Sequence, residues 1–187
     1  MAARAGMVNL ISRWRRMVDD AGTAVWSDDA AQQILDANRI TFWTDPVAPR
    51  PEHVDGSTSY TVYALRRRNL EELTSGSACW RLFDGTGATI GTADYSVDYL
   101  VGVVTFAADQ AGSARYLNGR EYDLNGAAAD AWRERAAGKA GSYDFQADGG
   151  RFDRSQWFDH CIKLADYYGN LAHGGMAVSL LERSDVA

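Results

Sequence analysis

The sequence of 187 residues is poor in the residues that build disulfide-linked or metal-stabilised folds. Its two cysteines, Cys79 and Cys161, lie far apart, and Cys161 falls on the apolar side of a helical pattern. Two buried free thiols are therefore favoured over a disulfide. The three histidines share no metal-ligand spacing with one another or with the cysteines. A chain of this length can bury a sizeable core without disulfides or metals.

Long apolar runs and catalytic motifs are also lacking. No run reaches the roughly 18 apolar residues that a membrane span needs, and arginines interrupt the apolar pattern of the N-terminal segment, where a signal peptide would lie. The sequence contains neither a phosphate-binding glycine loop followed by Lys and Ser or Thr nor a Gly-x-Ser-x-Gly nucleophile motif. We therefore expect a soluble protein, made in the cytoplasm, that is not an enzyme and needs no cofactor.

Acidic residues outnumber basic ones by 25 to 19, which gives a formal net charge of −6. A surface built to hold nucleic acid needs clustered Lys and Arg, so this balance argues against tight DNA binding. The run Arg66, Arg67 and Arg68 is an exception and could contact DNA or an acidic partner. The favoured interpretation is a solvated loop whose arginines pair with local acids such as Glu71 and Glu72.

Apolar residues recur at helical spacing in four segments. The first helix is predicted over residues 5–19, with its arginines off the apolar side and most simply in solvent. The second is predicted to begin at Ser27, a capping residue followed by two acids. Two longer helices are predicted in residues 122–172, and the first of them begins at Asp123 or Asn125. The last helix carries an apolar stripe of Trp157, Cys161, Leu164, Tyr168 and Leu171.

The middle of the chain has a different pattern, typical of antiparallel strands. All three prolines, Pro46, Pro49 and Pro51, fall in one short run, which predicts an extended crossing. Hairpin signals occur at residues 84–87 and at Asn118-Gly119. We therefore expect roughly five to seven strands in a small sandwich or barrel-like sheet. The strand-like runs are residues 60–65, 79–83, 88–90, 95–99, 103–106 and 114–117.

Together these patterns predict an α+β fold, in which a small α-helical bundle of four main helices is interrupted by an antiparallel β insertion. Residues 1–40 would supply the N-terminal helices of the bundle, and residues 41–121 the inserted β domain. Residues 122–172 would complete the bundle with the C-terminal helix pair, and residues 173–187 would form a C-terminal tail.

The C-terminal helix pair also carries a specific succession of residues. It comprises the start Tyr122-Asp123-Leu124-Asn125, an Ala-rich helix with Trp132, the run Tyr143-Asp144-Phe145, then Asp148-Gly149, Phe152, Arg154-Ser155-Gln156, and a close on Leu164-Ala165 and Tyr167-Tyr168. This succession resembles the C-terminal half of the head–tail connector (adaptor) proteins of tailed bacteriophages. The resemblance covers about a quarter of the chain well and extends more loosely to residues 5–39.

The resemblance implies a structural virion protein of the phage neck, at the head–tail interface. In that role identical chains form a closed ring, about twelve-fold, which docks under the portal protein. The ring's lower face meets a stopper or tail terminator protein, and genomic DNA passes through the lumen without sequence-specific binding. No catalytic residue is implied. By the same resemblance the C-terminal tail, with His173, Met176, Leu180 and Leu181, is the candidate portal contact.

Four aromatic residues are candidates for packing within and between subunits, since aromatic side chains anchor protein interfaces. They are Trp132, Phe152, Trp157 and Tyr168. Each can equally belong to an internal core, and for Trp157 and Tyr168 the core is the favoured interpretation. The arginines at 66–68 are the further interface candidates, and acidic residues that line the lumen would repel DNA weakly.

Three alternatives stay open at this point. The ring could be a stopper or tail-completion ring instead of the adaptor. The β insertion could be a carbohydrate- or protein-binding module, which an exposed sheet face carrying Tyr95, Tyr99 and Trp80 would favour. A small DNA-binding regulator could use the arginine-rich first helix, although the negative net charge argues against it.

Overall fold

A computed structural model describes residues 3–74, 80–138, 145–147, 150–152 and 154–172 of the chain. The described residues form four helices, α1 (Val8–Met17), α2 (Asp28–Ala37), α3 (Leu124–Ala137) and α4 (Arg154–Leu171), with a 3₁₀ turn (Ala5–Met7) before α1. The strands are β1 (Arg39–Val54), β2 (Ser57–Ala64), β3 (Arg81–Asp84), β4 (Tyr95–Asp98), β5 (Val103–Phe106), β6 (Arg115–Tyr122), β7 (Phe145–Ala147) and β8 (Gly150–Phe152).

Short polar side chains begin two of the helices, as the sequence predicted. The Ser27 hydroxyl accepts a hydrogen bond from the amide of Ala30, which satisfies one free N–H of the first turn of α2. The Asp123 carboxylate does the same for α3, because it accepts from the amides of Asn125 and Gly126 at 3.1 and 3.0 Å. Of the two capping residues left open for α3, Asp123 is the one used.

The main sheet has six antiparallel strands in the order β3-β6-β1-β2-β5-β4 and curls into a half-barrel. Its organising strand is β1, which spans 16 residues. The first part of β1, Arg39 to Val47, pairs with β6, and the second part, Ala48 to Val54, pairs with β2. One continuous strand therefore holds the two halves of the sheet together.

The prediction of a small helical bundle interrupted by a β insertion is wrong. The six-stranded sheet is a major layer of the fold, and it is continuous with the helices at both junctions. β1 begins two residues after α2 ends, and β6 ends at Tyr122, directly before the cap of α3. The Tyr122 side chain is itself fully buried in the helical core. The physical reason for the correction is this shared burial, because the helices pack onto residues of the strands.

The proline run lies within the sheet, whereas the sequence predicted a crossing that leads into it. Residues predicted to be an extended crossing form the middle of β1, and Pro51 lies at the register irregularity between Arg50 and Glu52. Among the described residues, each part of β1 pairs with a strand on one side only, so a missing N–H can fall on the other side. The predicted hairpin at Asn118-Gly119 is also wrong, because both residues lie inside β6.

The described side chains form two hydrophobic cores. The helical core is built from α1, α2, α3 and α4 and includes Trp14, Trp26, Leu35, Tyr122, Trp132 and Cys161. The sheet core fills the half-barrel and includes Phe42, Tyr63, Leu70, Trp80, Leu82, Val104 and Leu117. Cys161 is a buried free thiol, as predicted, and burial raises its pKa. Cys79 lies outside the described residues.

A buried ion pair ties α1 to the loop that follows it. Arg15 donates to the Asp20 carboxylate at 2.6 Å and to the backbone oxygen of Trp26 at 2.8 Å. Burial acts to raise the pKa of Asp20, but hydrogen bonds from the amides of Val25 and Trp26 and the charge of Arg15 outweigh it, so the pKa is lowered. Arg15 was predicted to lie in solvent and is instead buried, since its guanidinium closes this loop.

A second polar cluster joins the helices to the sheet around Glu71, which is 2% exposed. Its carboxylate accepts from the Arg4 Nε at 2.9 Å, from the Tyr122 hydroxyl at 2.7 Å and from the Arg120 guanidinium at 3.3 Å. Burial and the hydrogen bond to Glu71 raise the pKa of Tyr122 well above its ordinary range. Glu71 therefore binds residues from the N-terminal segment and β6 at one point.

Candidate interaction site

The predicted arginine run is divided between one structural residue and two exposed ones. Arg67 donates to Asp45 at 2.9 Å and to Glu121 at 3.0 Å, and its guanidinium lies 4.4 Å from the centre of the Phe42 ring. These partners differ from the predicted Glu71 and Glu72. Arg66 and Arg68 are exposed. Arg67 therefore fastens the loop after β2 to β1 and β6.

The four aromatic interface candidates differ in how far the structure buries them. Trp132 is buried in the helical core, where its indole N–H donates to the backbone oxygen of Met17 at 3.3 Å. Tyr168 is partly buried against the same core. Trp157 is 42% exposed and therefore extends beyond the core that was favoured for it. The side chain of Phe152 lies outside the described residues, as do His173, Met176, Leu180 and Leu181 in the C-terminal tail.

The outer side of α4 carries a row of exposed apolar residues. Trp157, Tyr167 and Leu171 are 42%, 59% and 51% exposed and recur at helical spacing along one side of the helix. The row begins near the first turn and ends at the last residue of α4. The end of α4 is held beside the start of α3, because the Asn125 side chain donates to the backbone oxygen of Leu171 at 3.2 Å. We call this row the α4 face, and its last residue, Leu171, lies two positions before the C-terminal tail in the sequence.

The aromatic residues that would have favoured a binding module on the sheet do not form an exposed face. Trp80 is buried, and its ring meets the Tyr99 ring edge-on with the centroids 5.1 Å apart. The Trp80 indole N–H donates to the Tyr95 hydroxyl at 3.1 Å. These three side chains therefore close the half-barrel core between β3 and β4.

An open groove lies instead on the other part of the sheet, beside Trp43. Trp43 is 71% exposed and sits at a register irregularity of β1, between Phe42 and Asp45. The next residue, Thr44, has φ of +53°, and its amide donates to the side chain of Asn118 at 2.7 Å. Trp43 follows the buried Phe42, so the simple alternation of the strand already points its indole away from the core.

The groove has a volume of about 560 Å³, and its lining includes three aromatic residues. Its lining residues are Trp43, Thr44, Phe83, Asp84, Gly85, Thr86, Gly87, Tyr116 and Asn118, and we call it the Trp43 groove. The turn that the sequence predicted at 84–87 forms one wall of the groove, with Gly87 at φ of +88°. Hydrogen bonds from Thr86 and from the amide of Ala88 hold the pKa of Asp84 below its ordinary value. The groove therefore combines an apolar floor with a negative charge.

A hairpin arm extends from the same strand. In residues 48–58, the β1–β2 arm, the described side chains are exposed, and the β1 residues of the arm pair with β2. The arm ends in a two-residue turn at Asp55 and Gly56, with φ of +49° and +77°. Across it, His53 contacts Thr58 at 2.9 Å and Glu52 accepts from Thr61 at 3.3 Å. The Asp55-Gly56 pair is the sequence signal that could have revealed this arm.

Neither a metal site nor a membrane span was found in the part of the chain that the structure describes. No group of three or more His, Cys, Asp or Glu side chains there is placed to hold a metal ion. No helix there is both long and apolar enough to cross a bilayer. Comparison with family models, with curated proteins and with solved structures gives no significant match to this chain.

Proposed function

We propose that this chain is a structural protein of a bacteriophage neck, a head-to-tail adaptor. Its copies form a ring that docks under the portal protein and links the DNA-filled head to the tail. The resemblance of residues 122–172 to the adaptor family suggests this role. One structural observation supports it, namely that large apolar side chains are exposed at two separate places, the Trp43 groove and the α4 face.

Exposed aromatic clusters favour an assembly subunit over a free monomer. Water-soluble monomers rarely leave large apolar patches uncovered, and such patches usually mark contacts with other proteins. A ring of identical chains needs two unlike surfaces on each copy, and a ring that joins two structures needs further ones for its neighbours. The chain offers surfaces of different shape: an arm, a groove and a helix face.

We assign the α4 face to the portal contact. Trp157, Tyr167 and Leu171 form a row that ends where the C-terminal tail begins, and the tail is the segment that the family resemblance assigns to the portal. Aromatic side chains at the centre of such a contact carry much of the binding free energy. The tail would then extend the same contact.

The charge of the chain suits a channel that DNA must leave freely. A net charge of −6 gives weak long-range repulsion of phosphate groups, in contrast to the basic surfaces of proteins that hold DNA. The isolated protein is therefore proposed to have no strong, salt-dependent affinity for duplex DNA.

Native mass spectrometry tests the proposal with the purified chain, alone and mixed with the portal protein encoded in the same genome. We expect the mixture to contain a defined ring stoichiometry on the portal. Trp157→Ser should weaken portal binding by about tenfold or more, since a buried aromatic anchor typically contributes over 1.4 kcal/mol. Val8→Ser, at another exposed apolar position, is the matched control and should leave binding unchanged.

Circular dichroism of both variants would show that the fold is retained. A chain that stays monomeric and has no affinity for the portal would contradict the adaptor role. If Trp157→Ser and Val8→Ser weakened portal binding equally, the assignment of the α4 face to the portal contact would be contradicted, but the adaptor role would not.

A further inference from the structure

The Trp43 groove is open in a single copy and has the properties of a contact between proteins. The indole of Trp43 is 71% exposed, and the Phe83 and Tyr116 rings lie beside it in the lining. An exposed tryptophan in an aromatic depression is a typical anchor site for a partner segment. Asp84 adds one negative charge, so a partner with a basic residue beside apolar ones would fit it.

The β1–β2 arm has the complementary properties. Pro49 and Pro51 are exposed and already held in extended backbone, so little conformational entropy is lost when they bind. Proline rings pack well on aromatic side chains, which is how proline-rich segments are bound in aromatic grooves. Arg50, between the two prolines, supplies the positive charge that Asp84 in the groove would attract.

The outer part of the arm is a ribbon of two strands. Among the described residues, no third strand pairs with this ribbon beyond Arg50. Two-stranded hairpins in isolation are marginally stable in water. A partner surface that covers the ribbon would stabilise it.

An arm cannot reach the groove of its own chain. Trp43 and Arg50 belong to one strand and are seven positions apart, about 20 Å along the strand. Because the strand is held in the sheet by β6 and β2, it cannot fold back on itself. An arm that enters the groove must therefore come from another copy.

We infer that the β1–β2 arm of one copy docks in the Trp43 groove of the next copy, an inference that rests on the proposed ring. The contact is head-to-tail, since each copy gives an arm and receives one. Repetition of such a contact closes into a ring when the rotation between copies allows it. Pro49 and Pro51, on one face of the strand, pack on Trp43, and the charge of Arg50 attracts Asp84 of the neighbour from the rim of the groove.

Disulfide cross-linking tests this contact in the full-length chain with Cys79→Ser as the background. Arg50→Cys and Thr86→Cys proteins are mixed under mild oxidation, alone and on the portal. We expect cross-linked dimers in the mixture and a ladder of oligomers from the chain that carries both changes. A mixture of Arg13→Cys, on an exposed position of α1, with Thr86→Cys is the control and should give no dimers.

A second measurement tests whether the groove itself stabilises the contact, since a cross-link shows only that two positions come close together. Trp43→Ser should raise the concentration needed for half-assembly of the chain by about tenfold or more. Trp157→Ser, which we assign to the portal contact, should leave this self-assembly unchanged. Cross-linking without an effect of Trp43→Ser would overturn the role of the groove.

The remaining outcomes distinguish the inference from the proposed function. Rings that form on the portal without cross-links between positions 50 and 86 would overturn the arm contact and leave the adaptor role standing. Absence of any oligomer, with or without the portal, would overturn both. Cross-links from Thr86→Cys to Ser179→Cys in the C-terminal tail, and none to Arg50→Cys, would show that the tail fills the groove and would overturn the inference.

Discussion

Arg15→Met is expected to lower the free energy of unfolding by about 3–5 kcal/mol. The change keeps much of the side-chain volume but removes the positive charge from a site where the Asp20 side chain is fully buried. Asp20 would keep the amide hydrogen bonds of Val25 and Trp26 and lose its counter-charge. The backbone oxygen of Trp26 would also lose its donor. Urea denaturation measures the effect.

Arg16→Met is the matched control, because Arg16 is exposed on the same helix. It should change the free energy of unfolding by no more than about 0.5 kcal/mol. Adding Asp20→Asn to Arg15→Met should recover part of the loss, since the buried charge without a partner is then gone. Similar losses for Arg15→Met and Arg16→Met would show that the ion pair does not hold the loop after α1.

Gly102→Ala is expected to destabilise the sheet by about 2–5 kcal/mol, for two reasons that add. Gly102 has φ of +80°, a conformation that L-residues adopt at a cost. A Cβ at this position would also lie 2.0 Å from the backbone oxygen of Arg67. The backbone has little freedom to move, because the Gly102 amide donates to Asp98 and its oxygen accepts from Leu65, each at 2.8 Å.

The variant Gly87→Ala separates the cost of the positive φ from the cost of the close approach to Arg67. Gly87 has a similar φ of +88°, but among the described residues nothing apart from its chain neighbours lies within 4 Å of the position that a Cβ would take. It should therefore cost only the conformational strain, about 1–2 kcal/mol. Thermal or urea unfolding of both variants would show the difference. If Gly87→Ala were as harmful as Gly102→Ala, the close approach to Arg67 would not matter.

The helices and several strands could be predicted because their signals are local. Ser27 and Asp123 cap helices through hydrogen bonds to amides only two or three residues away. Residues 103–106 were predicted as a strand and form β5, in which Val104 and Phe106 are buried. Such signals depend on the neighbouring residues in the chain, so one sequence suffices to find them.

The size of the sheet and the position of the groove could not be predicted, because they depend on distant pairing. Three prolines in β1 are tolerated since this strand exchanges one neighbour for another along its length. Gly119 indicated a turn, but it sits in β6 under the Phe42 ring, where a Cβ would lie 2.6 Å from the ring. The Trp43 groove also needs Phe83 and Tyr116 from two other strands, which the local pattern around Trp43 does not encode.

The central proposal is that this chain joins a phage head to its tail. Electron microscopy of lysates tests it most directly, with the gene intact and with the gene deleted from the genome that encodes it. We predict that the deletion leaves heads and complete tails unjoined, and that adding the purified chain restores joined particles. Intact, infectious particles in the absence of the chain would contradict the adaptor role.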